Sequence, residues 1–280
     1  MTEFSPASMC SSHAHAYRQK GVSLLELMVG MAVGLLVVAA GLGAVLTARA
    51  LSGTVSEASA MQLQASFAYR IIGQQIRQVG GRMLKPVDDA SEFGVFDENP
   101  ALAAYVPIQG QAAPSSNQYA LELLYQNTAD KSFPLRNGKP QLQPLLRNCI
   151  GESTDPGSTP VVLSRFRRQG NDLVCAGTGE PQVLISGVAD FQLRYLLQAN
   201  ASSSAPAWLH VDASQLSTTA KWLQVYAIEV CLELVGQERI DTAGATYTRC
   251  DKKQAARGDR LRMVFRNTFF INNRVWTSAS

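Results

Sequence analysis

Residues 20–48 read KGVSLLELMVGMAVGLLVVAAGLGAVLTA, and from Val22 to Ala48 the 27 residues carry one charge, Glu26. A helix needs roughly 20 apolar residues to cross a bilayer, so this run is long enough to span one. Arg18 and Lys20 stand just before it. The positive-inside tendency therefore places the N-terminus in the cytoplasm and everything after Arg49 across the membrane. An ordinary secretory signal has an apolar core of about 7–15 residues and an A-x-A-like cleavage site. This core is far longer, and the alanines at its end lead into more helix. Cys10 follows no apolar run, which argues against a lipoprotein and leaves it a free thiol.

The carboxylate is out of place in such a run. An acid inside a membrane helix is expensive and is usually found facing a partner. Cutting the chain between Gly21 and Val22 would create an α-amine near Glu26. That ammonium, paired with Glu26 of a neighbouring subunit, would offset the cost of holding either charge in lipid. In the uncut chain the nearest cation, Lys20, stays on the cytoplasmic side.

A basic leader, then Gly, then an apolar helix with Glu at its fifth position, written here Lys20-Gly21 / Val22-Ser23-Leu24-Leu25-Glu26-Leu27, resembles the prepilin signature of type IV pilins and type II secretion pseudopilins. The resemblance implies removal of residues 1–21 by a cytoplasm-facing prepilin peptidase and N-methylation of Val22. It also implies entry of the helix into a filament core. Val22 departs from the usual first mature residue, Phe. Gly43 stands where many major pilins have a proline.

Beyond Ala48 the helix should continue. Leu51, Val55, Ala58, Met61, Ala65, Ala68, Ile72, Ile76 and Val79 recur at mostly three- and four-residue steps and draw an apolar stripe. Polar residues such as Ser52, Glu57, Gln64, Arg70, Gln74 and Arg77 take the other faces. Gly80 and Gly81 supply the stop. A helix over 22–79 would be roughly 87 Å long at 1.5 Å per residue. Its part over 22–48 would serve membrane or filament core, and the remainder would pack on a sheet.

Residues 80–118, with Pro86, Pro100, Pro107 and Pro114, read as a connecting loop. Its acidic cluster, Asp88, Asp89, Glu92, Asp97 and Glu98, fits no EF-hand spacing and reads as a solvated loop. From Tyr119 the pattern becomes β, with short strands expected over 119–125, 160–167, 172–175, 182–186 and 191–196. Residues 198–206, QANASSSAP, read as a flexible loop. The strongest later strands are 222–235 and 260–271. In the first, Val225, Ala227, Glu229 and Cys231 share one face, and Tyr226, Ile228, Val230 and Leu232 the other. The polar segment 236–258 reads as a hairpin loop. The fold class is α+β, a long N-terminal helix packed on an antiparallel sheet domain over 119–280.

Apolar residues make up 46% of the 280 and suffice for a core, while a formal charge of +3 is too small to argue for nucleic acid or a strongly steering surface. Outside residues 1–21 the cysteines are Cys149, Cys175, Cys231 and Cys250, an even set that reads as two disulfides in an oxidising compartment. Four cysteines allow three pairings. The favoured one joins Cys149 to Cys175 and Cys231 to Cys250, each closing a local loop between strands, worth about 3–4 kcal/mol apiece on the loop-entropy model. With no C-x-x-C and His210 the lone histidine beyond the leader, no metal or cofactor is expected. Phosphate-loop, nucleophile-elbow and metalloprotease motifs are absent, so no enzyme activity is expected. The basic runs Arg165/Arg167/Arg168 and Lys252/Lys253/Arg257/Arg260/Arg262 could touch DNA phosphates, though solvated strand edges explain them as well.

The large sheet region resembles the PilW type of minor pilin. The matching blocks are Ile76-Arg77-Gln78-Val79-Gly80, Val188-Ala189-Asp190-Phe191-Gln192-Leu193-Arg194-Tyr195, and Arg266-Asn267 in the last strand. The resemblance implies a single-pass inner-membrane protein with a periplasmic sheet domain that enters the extracellular pilus. It implies a role in priming pilus assembly, with a place at the tip and a contribution to twitching motility. The implied partners are other minor pilins, the major pilin, the prepilin peptidase and the assembly machinery of the inner membrane. Two other roles share the helix signature: a type II secretion pseudopilin, and a pilus-tip adhesin or DNA-binding module.

Overall fold

The computed structural model describes residues 21–82, 106–115, 117–130, 143–154, 161–198, 208–240 and 244–272. The acidic cluster over 88–98, Cys10 and nearly all of the 198–206 loop lie outside them. One helix, α1, runs Leu24–Gln78. It ends as the glycines require, for Gly80 adopts φ 70°, the left-handed turn that closes a helix at little cost only for glycine. The chain divides into two compact units, Met1–Gly53 and Thr54–Ser280, so the two halves of α1 belong to different units.

In the second unit α1 buries Met61, Ala65, Ala68, Ile72, Ile76 and Val79, none more than 4% exposed. This is the stripe drawn by the sequence, with one correction: Val55 is 65% exposed. At about 100° per residue, a position six residues before Met61 falls about 120° off the stripe. Alanine at 65 and 68 keeps the helix surface low, and at Gly73 the absent Cβ leaves room for the Phe269 ring.

Among the described residues the strands form two main antiparallel sheets rather than one. The first has five strands, β1 (Ile108–Gln109), β2 (Leu121–Gln126), β5 (Val161–Gln169), β6 (Asp172–Ala176) and β7 (Gln182–Ser186), in the order β1-β2-β5-β6-β7. The second has four: β8 (Val188–Gln198), β9 (Trp208–Val211), β10 (Val225–Arg239) and β13 (Arg260–Phe270), in the order β13-β10-β8-β9. Two small ribbons pair β3 (Ala129–Asp130) with β4 (Gln143–Pro144), and β11 (Thr246–Thr248) with β12 (Gln254–Ala256). Inward residues of both sheets, among them Leu121, Leu123, Phe166, Leu173, Tyr195, Ile228 and Leu232, join the α1 stripe in one core.

Two further expectations are corrected. Trp222 stands in a short helix, α2 (Thr219–Leu223), and not at the head of β10. The side chain of Thr218 accepts the Lys221 N–H at 3.4 Å, a helix start just ahead of the apolar residues Trp222 and Leu223. At its other end β10 runs on to Arg239, and the region expected to be plain loop carries the β11–β12 ribbon. Its register against β13 shifts between Val235 and Arg239. There the Glu57 carboxylate accepts the N–H groups of Gln237 and Glu238, the latter at 2.9 Å, clamping α1 to the irregular strand.

Candidate functional site

The start of α1 carries the residues singled out by the sequence. The Ser23 carbonyl accepts the Leu27 N–H at 3.1 Å, so Ser23 caps the helix and Glu26 falls in its first turn. Ser23-x-x-Glu26 is also the spacing of a capping box. A carboxylate there faces the positive end of the helix dipole, which lowers its cost before any partner arrives. Sequence reasoning weighed Glu26 as a buried charge and passed over this local signal. Gly21 and Val22 precede the first helical turn, so the bond between them lies in non-helical backbone.

Around and beyond Glu26 the helix is apolar on every side. Large hydrophobic residues from Val22 to Leu46 are between 50% and 78% exposed, and the window of highest mean hydropathy reaches 2.4. By length and composition this helix can cross a membrane. A side-chain surface that is apolar all round has no stable place in water; it belongs in lipid or among other apolar helices.

The second element is the outer face of the β8-β10-β13 sheet. Disulfides join Cys149 to Cys175 and Cys231 to Cys250, with Cα atoms 6.3 Å and 5.7 Å apart. The first ties the 149–150 turn to β6. The second ties β10 to the segment that carries β11 and β12. That segment is held further by charge. Glu233, 2% exposed, accepts the Tyr247 hydroxyl at 2.6 Å and Arg262 Nη1 at 3.0 Å. Arg249 reaches the same carboxylate at 3.7 Å and Asp190 at 4.0 Å, while Arg266 Nη2 donates to the carbonyls of Arg249 and Cys250. Burial and the neighbouring Glu233 carboxylate push the Tyr247 phenol above its ordinary pKa. The sequence placed Glu229 and Cys231 on one face of β10 but could not show that β11 and β12 would fold over the half that holds Glu233.

The basic runs are taken up locally. Arg165 and Arg167 stack on the Tyr119 ring at 4.5 Å and 4.9 Å, and Arg168 donates to the Gly170 carbonyl at 2.6 Å. Arg262 is bound to Glu233 and Arg260 lies near the Gly236 carbonyl, whereas Lys252 and Lys253 are exposed. Among the described residues no group of three or more His, Cys, Asp or Glu side chains could hold a metal ion.

Comparison with known families matches residues 154–273 to the type IV pilus-assembly protein W family and residues 17–42 to the prokaryotic N-terminal methylation motif. No curated protein matches the chain. Among solved structures, the type IV-like pilin TTHA1219 from Thermus thermophilus aligns at 12% identity and a TM-score of 0.36, covering 77% of this chain and 98% of that one.

Proposed function

We propose that this chain, which matches the type IV pilus-assembly protein W family over residues 154–273 and the N-terminal methylation motif over residues 17–42, is a minor pilin that primes assembly of the pilus and sits at its tip. On this reading the protein is a structural subunit and not an enzyme. A prepilin peptidase cuts after Gly21 and the new Val22 amine is methylated. Residues 22–48 hold the protein in the inner membrane, N-terminus cytoplasmic and sheet domain periplasmic, until it is drawn into the filament. The Val22 amine then pairs with Glu26 of an adjoining subunit, and the sheet domain, closed by the disulfides Cys149–Cys175 and Cys231–Cys250, docks on other minor pilins and the major pilin. The supporting observation is the first half of α1, exposed and apolar all round, with a lone carboxylate in its first turn.

Two measurements test this reading. Glu26→Ala in cells should abolish co-purification with other pilus subunits and reduce piliation and twitching; unchanged piliation and co-purification would remove the ion pair. Mass spectrometry of the extracted protein should show a chain starting at a methylated Val22, and a polypeptide intact from Met1 would remove the cleavage.

A further inference from the structure

In the four-stranded sheet β9 covers only part of its neighbour: Tyr195 through Gln198 of β8 pair with Val211 through Trp208, and there the ladder stops. At Asp212 the chain leaves the sheet. The Asp212 carboxylate accepts the Ser214 N–H, and the side chain of Gln215 accepts the Asp212 N–H, which fixes a 3₁₀ turn over Ala213–Gln215. Residues 190–194 pair with β10 on one side. On the other side they make no backbone hydrogen bond among the described residues. In an antiparallel pair every second residue turns its N–H and C=O away from its partner, so this stretch offers a row of unmet donors and acceptors.

The space beside that row is a recess of about 370 Å³. Its far wall is Gln111, Ala112 and Ala120, from the β1–β2 connection of the other sheet, and the 3₁₀ turn bounds it with Ala213 and Gln215. Five strand residues extend about 13 Å between their end Cα atoms at 3.3 Å each. A slot walled in this way admits a single extended chain more readily than the edge of another sheet. Phe191 and Leu193 are half-buried along it and would gain cover from an apolar side chain at alternate positions.

Charge selects the occupant. Asp190 is engaged by Gln192 at 2.8 Å and Arg249 at 4.0 Å, and Glu229 across the strand from Arg194 is engaged by Arg266 at 3.5 Å. Arg194, half-buried in the slot, has no hydrogen bond or ion pair among the described residues. Charges on an edge strand oppose pairing with an arbitrary strand; the opposition is lifted for a strand that brings the opposite sign.

We infer that the free edge of β8 at residues 190–194 binds an extended segment of a partner protein as an added strand, with an acidic side chain of that segment on Arg194. The segment alternates apolar residues, toward Phe191 and Leu193, with polar residues and the one acid. This deepens the assembly reading by naming where the sheet domain grips a partner subunit, and rests on that reading only for the partner's identity.

The probe is a blocked octapeptide alternating valine and threonine with a central glutamate, labelled for fluorescence anisotropy against the purified full chain in detergent. Saturable binding is expected. Replacing the glutamate by lysine should weaken it about tenfold, the scale of one lost charge pair, and N-methylating alternate amides in one of the two registers should abolish it. Arg194→Gln should erase the preference for glutamate over lysine while leaving the circular dichroism unchanged, and Arg194→Glu should invert it. No saturable binding at millimolar peptide, equal affinity for both peptides, or a preference that survives Arg194→Gln would overturn the inference. Because binding is read on purified protein and the Glu26 test in cells, either can fail alone.

Discussion

Tyr195 has no exposed surface, its ring stands edge-on to Trp222 at 4.9 Å, and its hydroxyl lies 3.4 Å from the Ala120 carbonyl. Burial pushes its phenol, and those of Tyr69 and Tyr125, above the ordinary value of 10.0. A phenol with a raised folded pKa keeps its proton longer in the folded state. Its contribution is therefore whole below about pH 10 and is lost as pH climbs from there toward the folded pKa. The unfolding free energy of the full chain from urea titration should hold up to about pH 9 and fall steeply by about pH 11, by up to roughly 1.4 kcal/mol per pH unit for each tyrosine. Tyr195→Phe should shallow that fall; an unchanged slope would show that Tyr195 does not titrate with unfolding. Residues of this kind were the least legible in the sequence. Gln75 is a polar residue outside the apolar stripe, yet it is 2% exposed, takes the Ser164 hydroxyl at 2.7 Å and lies 2.8 Å from the Tyr125 hydroxyl. Its partners come from β2 and β5, far along the chain, and no local pattern announces them. Glu233 was hidden for the same reason: Arg262 arrives from β13, Tyr247 from β11 and Arg249 from the turn after it.

The second half of α1 has two apolar sides, and only one is core. Met61, Ala65, Ala68, Ile72, Ile76 and Val79 are buried, while Leu63 is 72% and Phe67 41% exposed. Deleting side chain from the first set leaves a cavity; changing the second removes little contact within the chain. Ile72→Ala should cost about 2–5 kcal/mol, whereas Leu63→Ser should stay within about 0.5 kcal/mol. Equal losses in denaturant titration would show that the burial pattern is not what holds this helix. The buried stripe was legible because a helix repeats every 3.6 residues and a sheet can cover only one face of it. Trp222 was misplaced because five residues are too few to show a period, so the apolar run through Val225 looked like one strand. The Thr218 cap, which decides the matter, is a single hydroxyl.

For the molecule as a whole, two disulfides close loops of similar length, with sequence separations of 26 and 19. Removing the second with Cys231→Ser and Cys250→Ser should cost about 3 kcal/mol. Hydrogen exchange should then rise first in the β11–β12 ribbon, which has little else but the Glu233 cluster to hold it, and not in β8 or β10. Exchange rising equally throughout would mean that the bridge supports the whole domain. What the sequence alone determined was whatever depends on neighbours in the chain: the apolar run with Glu26 near its start, the buried stripe of α1, and most of the strands. Composition and period act over a few residues and can be read there. The tertiary structure alone decided the division into two sheets, the burial of Gln75, Glu233 and Tyr195, and the stretch of β8 that β9 leaves uncovered. Each of these depends on segments tens of residues apart meeting in space, and the sequence carries no periodic trace of such meetings.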